Sequence, residues 1–158
     1  MDTVYIETTI PSTYFEQRTN ANIVARREWT RDWWDKHRQR YRVVSSVPVV
    51  DELSRGEHPL RSDKLELIKD LELLEPNDAI ANIVEVYIER YVMPCDPSGD
   101  ALHLALASYF RCDFLLTWNC IHLANANKLG HIRIVNTLLG LHIPQIVTPL
   151  ELLGEDTI

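Results

Sequence analysis

Short apolar runs, four of them carrying β-branched or aromatic residues, recur along the chain at long intervals: TVYIE at 3–7, RVVSS at 42–46, ELLE at 72–75, DFLLTW at 113–118 and PQIVTP at 144–149. Such residues favour a pleated, half-buried surface. Strands separated by helix-length segments pair in parallel through right-handed crossovers. The intervening sequence supplies those helices. Pro11 suits the opening of a short helical turn, and helical sequence follows from Asn22 to Arg40. Ser46 is placed to cap a helix with Pro48 in its first turn, running to a stop at Gly56. Further helices are predicted over Leu60–Asp70, from an Asn77 or Asp78 cap to Val92, over Asp100–Phe110, and through the polar stretch to Leu141, with a short one after the last strand. Met93–Gly99 reads as a loop. The class implied is α/β, a three-layer α/β/α domain on a mainly parallel sheet.

The 158 residues contain no repeat and no Gly/Ser-rich linker, so one domain is expected over 1–158. No apolar run approaches the roughly 20 residues needed to span a bilayer. The start of the chain lacks the basic and apolar regions of a signal peptide. No membrane role and a cytoplasmic location are therefore expected. Cys95, Cys112 and Cys120 lack the close spacing of a zinc knuckle or disulfide framework and read as reduced thiols. No histidine pair matches a metalloprotease helix, and His103, three residues after Asp100, reads as a packing or supporting residue. A net charge of −7 argues against a surface that grips nucleic acid everywhere but leaves room for a local basic face.

Four polar residues point to one edge of such a sheet. Glu7 ends the first strand, Glu52 lies in the helix after the second, Asp100 opens the apolar helix DALHLALASYF, and Asn119 follows FLLTW. Each of the three acids has an ordinary explanation: a solvated loop acid, a surface acid beside Arg55, and a first-turn acid that complements a helix dipole. Together they occupy equivalent ends, where the crevice of a parallel sheet lies. Three carboxylates gathered there need a cation, and oxygen-only ligands suit magnesium or manganese rather than zinc.

VYIETTIPS, SSVPVVDELSRG, GDALHLALA and LLTWNCIHLANA, in that order, resemble the four motif blocks of PIN-domain proteins, most of all a VapC-like subgroup with a YIETTIPS-type strand. The resemblance implies a five-stranded parallel sheet and a magnesium- or manganese-dependent ribonuclease site. It also implies a toxin of a toxin–antitoxin pair, neutralised by a small antitoxin and commonly a homodimer. Glu7, Glu52 and Asp100 match the family's three acids and metal ligands, and Asn119 its fourth polar position. The chain departs from the pattern at Glu7 and Asn119, where aspartate is usual. A module that binds RNA or a protein partner without cleaving stays open on that account. An unrelated phosphotransferase finds no P-loop or D-x-D-x-T string.

A working site of this charge needs bases to steer RNA. Residues 26–42, RREWTRDWWDKHRQRYR, hold seven bases against three acids, and Arg18 precedes them. Arg18, Arg26, Arg27 and Arg31 are the candidate nucleic-acid contacts. Trp29, Trp33 and Trp34 either stack bases or pack inward. The i, i+4 spacing of Trp29 and Trp33 favours packing. Trp118 reads as core or site wall.

Overall fold

The computed structural model describes residues 1–94 and 99–154. Five strands, β1 (Thr3–Ile6), β2 (Arg42–Ser46), β3 (Glu72–Leu74), β4 (Phe114–Leu116) and β5 (Gln145–Val147), form one sheet in the order β3-β2-β1-β4-β5. Every pairing is parallel. The α-helices are α1 (Thr9–Tyr14), α2 (Ala21–Asp32), α3 (Val47–Ser54), α4 (Arg61–Ile68), α5 (Asp78–Glu89), α6 (Asp100–Tyr109) and α7 (Ala126–Leu138).

Successive side chains of a strand point to opposite faces, yet Val4, Tyr5 and Ile6 are all fully buried, as are Leu115 and Leu116. Both faces of the sheet are therefore covered, as a parallel sheet requires, and the fold has three layers. Helix α6 is buried along most of its length, including Leu104, Ala105, Leu106 and Ala107.

The caps follow the sequence. Ser46 Oγ accepts from the Val49 backbone N–H, and Asn77 Oδ1 from that of Ile80. Three details differ from the sequence expectation. The long helix to Arg40 changes pitch: after α2 it widens into a π-helix at Trp33–His37 and tightens into a 3-10 turn at Arg38–Arg40. Trp33 and Trp34 are both buried, so neighbouring indoles must reach the interior together, and a π-turn re-aims them as a regular α-turn does not. In the polar stretch, residues 119–125 form a turn and α7 begins only at Ala126. The short helix expected after β5 is absent among the described residues. Pro149 lacks a backbone donor, and the segment makes only a turn, with Glu151 N–H on the Thr148 carbonyl and Leu152 N–H on that of Pro149. Part of the Met93–Gly99 loop, with Cys95, lies outside the described residues. Cys112 and Cys120 are free thiols, and burial pushes the Cys112 thiol up to about 12.

The chain builds β1, β2 and β3 toward one edge, then returns to add β4 on the other side of β1. The boundary between β1 and β4 is thus a switch point, where crevices open at the carboxyl ends of strands.

Candidate active site at the carboxyl edge of the sheet

Glu7 is the first residue beyond β1, and its backbone N–H still reaches the Leu116 carbonyl of β4. Glu52 is in α3, Asp100 opens α6, and Asn119 lies just past β4. The four line one cavity of about 280 Å³, together with Thr8, Thr9 and Arg55. Glu7 and Asp100 are each only 3% exposed.

Each acid is held by protein donors. Glu7 Oε1 accepts from the Thr9 backbone N–H at 2.9 Å and from the Thr9 hydroxyl. The same hydroxyl oxygen accepts from the Trp118 N–H at 2.9 Å, which ties the ends of β1 and β4 together. Burial dominates the Glu7 carboxyl and raises it from 4.5 to about 7, against the opposing pull of His103 and of hydrogen bonds from Thr9 and Thr117. Glu52 accepts from the Thr8 hydroxyl at Oε2 and from His103 Nε2 at Oε1, 3.0 Å away. Burial pushes Glu52 up, but His103, Thr8 and the nearby Arg55 outweigh it and hold the carboxyl below its usual value. Asp100 Oδ2 accepts from Asn119 Nδ2 at 2.9 Å. Asn119 Oδ1 faces the other way and takes the backbone N–H groups of Ile121 and His122, shaping the turn after β4.

His103 is the residue beneath this cluster. It is 1% exposed, with Nδ1 at 2.7 Å from the Tyr5 hydroxyl, which lies 2.8 Å from the capping Ser46 Oγ. Burial lowers the imidazole, yet the Glu52 hydrogen bond and the charges of Glu7, Glu52 and Asp100 prevail and leave it raised. A chain of polar contacts thus runs from the end of β2, through β1 and α6, to the acid of α3. Gly99 makes the approach of α3 to α6 feasible. Its φ of +82° is a left-handed conformation, and a Cβ there would sit 2.9 Å from Glu52 Oε1.

The donor set is all oxygen at the cavity wall, which fits magnesium or manganese in kind. Among the described residues, no three His, Cys, Asp or Glu side chains converge as a metal-holding group. In this arrangement Glu7 bonds Thr9, Glu52 bonds His103 and Thr8, and Asp100 bonds Asn119.

The basic residues separate into two kinds. Arg18 pairs with Glu16 at 3.0 Å, Arg27 donates to the Glu16 carbonyl and pairs with Glu28, and Arg31 donates to the Tyr14 carbonyl at 2.8 Å. Arg26 instead lies over the Trp118 ring, 5.0 Å from its centre. Trp33, Trp34 and Trp118 are core, and Trp29 packs against them, stacked on Trp118.

Sequence reasoning brought forward the four polar residues but missed Thr8, Thr9 and Gly99 as their supports. The signal was present, since both threonines follow Glu7 directly and Gly99 precedes Asp100.

No protein-family profile matches the chain, and no curated protein does. Among solved structures it is similar to a chain of VapBC2 from Rickettsia felis, solved bound to a DNA fragment from their promoter. The identity is 12%, the TM-score 0.51, and the match covers 92% of this chain and 98% of that one. The likeness is one of fold. Among the described residues, no helix is long and apolar enough to cross a membrane.

Proposed function

We propose that the chain is a single PIN-like domain over residues 1–158 that cleaves single-stranded RNA with a divalent cation, as the cytoplasmic toxin of a toxin–antitoxin pair. The observation that carries this reading is that Glu7, Glu52, Asp100 and Asn119, from four separate parts of the chain, line one cavity at the switch point of the sheet. The fold shared with a VapBC2 chain supports it. Glu7, Glu52 and Asp100 are the residues that would hold magnesium or manganese. Bound there, the ion supplies charge against the phosphate oxygens and an activated water for attack on the phosphodiester. Asn119 orients Asp100 through its Nδ2, and Thr8 and Thr9 hold the two glutamates. Of the four arginines singled out in the sequence, Arg26 is the one proposed to meet RNA, because the other three are engaged by groups of α1, α2 and the segment that joins them. A small antitoxin is the proposed partner. A homodimer is proposed as well, for which Ile134 and Leu138, exposed one turn apart on α7, offer apolar surface.

One observation favours the second reading, a PIN-like module that binds without cutting. Asn119 donates to Asp100 Oδ2, occupying an acceptor a cation would use, and brings no negative charge of its own where aspartate is usual. The test is cleavage of single-stranded RNA with manganese, with and without EDTA, by wild type and by Asp100→Asn prepared identically. The nuclease reading expects cutting by the wild type alone and a manganese-dependent rise in its melting temperature. Equal cutting by both proteins overturns the assignment of the site. Salt-sensitive RNA binding without cutting by either supports the second reading.

A further inference from the structure

We infer that Arg55 is a phosphate-binding residue of the acid-lined cavity, gripping the backbone of the RNA strand beside the reacting phosphodiester. This rests on the nuclease proposal above. Arg55 is the C-cap of α3, three residues beyond Glu52, and its backbone N–H donates to the Glu52 carbonyl at 3.3 Å. The main chain is thereby fixed while the side chain stands exposed at the cavity wall. It is the one cationic side chain among the residues lining that cavity.

What marks Arg55 is that its guanidinium makes no hydrogen bond or ion pair among the described residues. The neighbouring acid does not claim it: Glu52 gives Oε1 to His103 and Oε2 to Thr8. Arg55 acts on Glu52 through space only, as one of the influences that hold that carboxyl down. A guanidinium carries five donors in a planar fork and no acceptor, a geometry that matches two phosphate oxygens at once. The cavity beside it is lined by three carboxylates and repels a phosphate chain. A strand that enters must therefore be held by a cation at the wall, and Arg55 is placed to do it. An arginine that merely solvates the surface would sit in the same exposure but contribute nothing to RNA affinity.

The test separates binding from cleavage. The full chain carrying Asp100→Asn is titrated in EDTA with a fluorescein-labelled single-stranded oligoribonucleotide across a potassium chloride series, alone and with Arg55→Ala or Arg55→Lys added. Arg55→Ala is expected to weaken binding on the order of tenfold, as loss of a charge-assisted fork requires. It should also flatten the log–log salt slope by about 0.7, the value for one lost phosphate contact on a single strand. Arg55→Lys should keep the slope and lose part of the affinity, since a point charge replaces the fork. Salt-sensitive binding that Arg55→Ala leaves unchanged in affinity and slope overturns the inference and leaves the nuclease reading standing. Absence of salt-sensitive binding by the parent overturns both. Dependence on Arg55 in a protein that never cuts keeps Arg55 as a phosphate contact of a binding module but overturns its place beside a reacting phosphodiester, together with the nuclease reading.

Discussion

Replacing Glu7 with glutamine should make the protein more stable at alkaline pH while barely changing it in acid. The Glu7 carboxyl is 3% exposed and is raised from 4.5 to about 7, chiefly by burial. The native state therefore holds this proton more tightly than the unfolded chain does. Stability from this group is greatest below the unfolded value of 4.5, falls as pH rises from 4.5 to about 7, and is flat above that. Each pH unit of that displacement corresponds to about 1.4 kcal/mol, so ionising the buried carboxyl costs about 3 kcal/mol in all, of which about 2–3 kcal/mol falls between roughly pH 5 and 8. His103 adds to the same trend. Its raised imidazole stabilises the fold fully below 6.5, and that contribution is lost as pH climbs through the folded value. Glutamine keeps an Oε1 that can accept from Thr9 but carries no titrating proton. Urea denaturation in EDTA at the two pH values, on wild type and Glu7→Gln, gives the difference directly, with the coupled share of His103 included. Wild type should lose about 2–3 kcal/mol more than the variant on going to the higher pH. Parallel losses in the two proteins would refute a buried, strained carboxyl at this position.

Two further substitutions probe the supports of the site. Gly99→Ala forces a Cβ into a left-handed residue and to within 2.9 Å of Glu52 Oε1. It should cost about 1–2 kcal/mol in denaturant titrations and lower manganese-dependent cleavage; unchanged stability would mean that α3 and α6 yield freely. His103→Leu leaves Glu52 and the Tyr5 hydroxyl each short of a buried partner, with an expected loss of about 1–3 kcal/mol. A stability equal to wild type would show that water replaces the imidazole.

Local chemistry alone carried much of this protein. The strand-like runs, their helix-length spacing, the Ser46 and Asn77 caps and the apolar α6 follow from residue type and period. Those properties act between near neighbours, so they are legible in the sequence. They also brought Glu7, Glu52, Asp100 and Asn119 to one edge, because a parallel sheet gathers its strand ends there. The pairing of β1 with β4, the π-turn that buries Trp33 and Trp34, and the burial of Glu7 arise only when distant segments pack. So does the arrangement within the site. Tyr5, Ser46, Glu52 and His103 lie on four elements, and only the closed fold makes them one hydrogen-bonded chain. The same closure brings Arg27 to the Glu16 carbonyl and Arg31 to that of Tyr14, and leaves Arg55 facing the acids. Charge counted along the chain cannot tell a paired arginine from an unpaired one. That distinction depends on which acceptors come within about 3 Å of the guanidinium, and the tertiary structure alone brings them there.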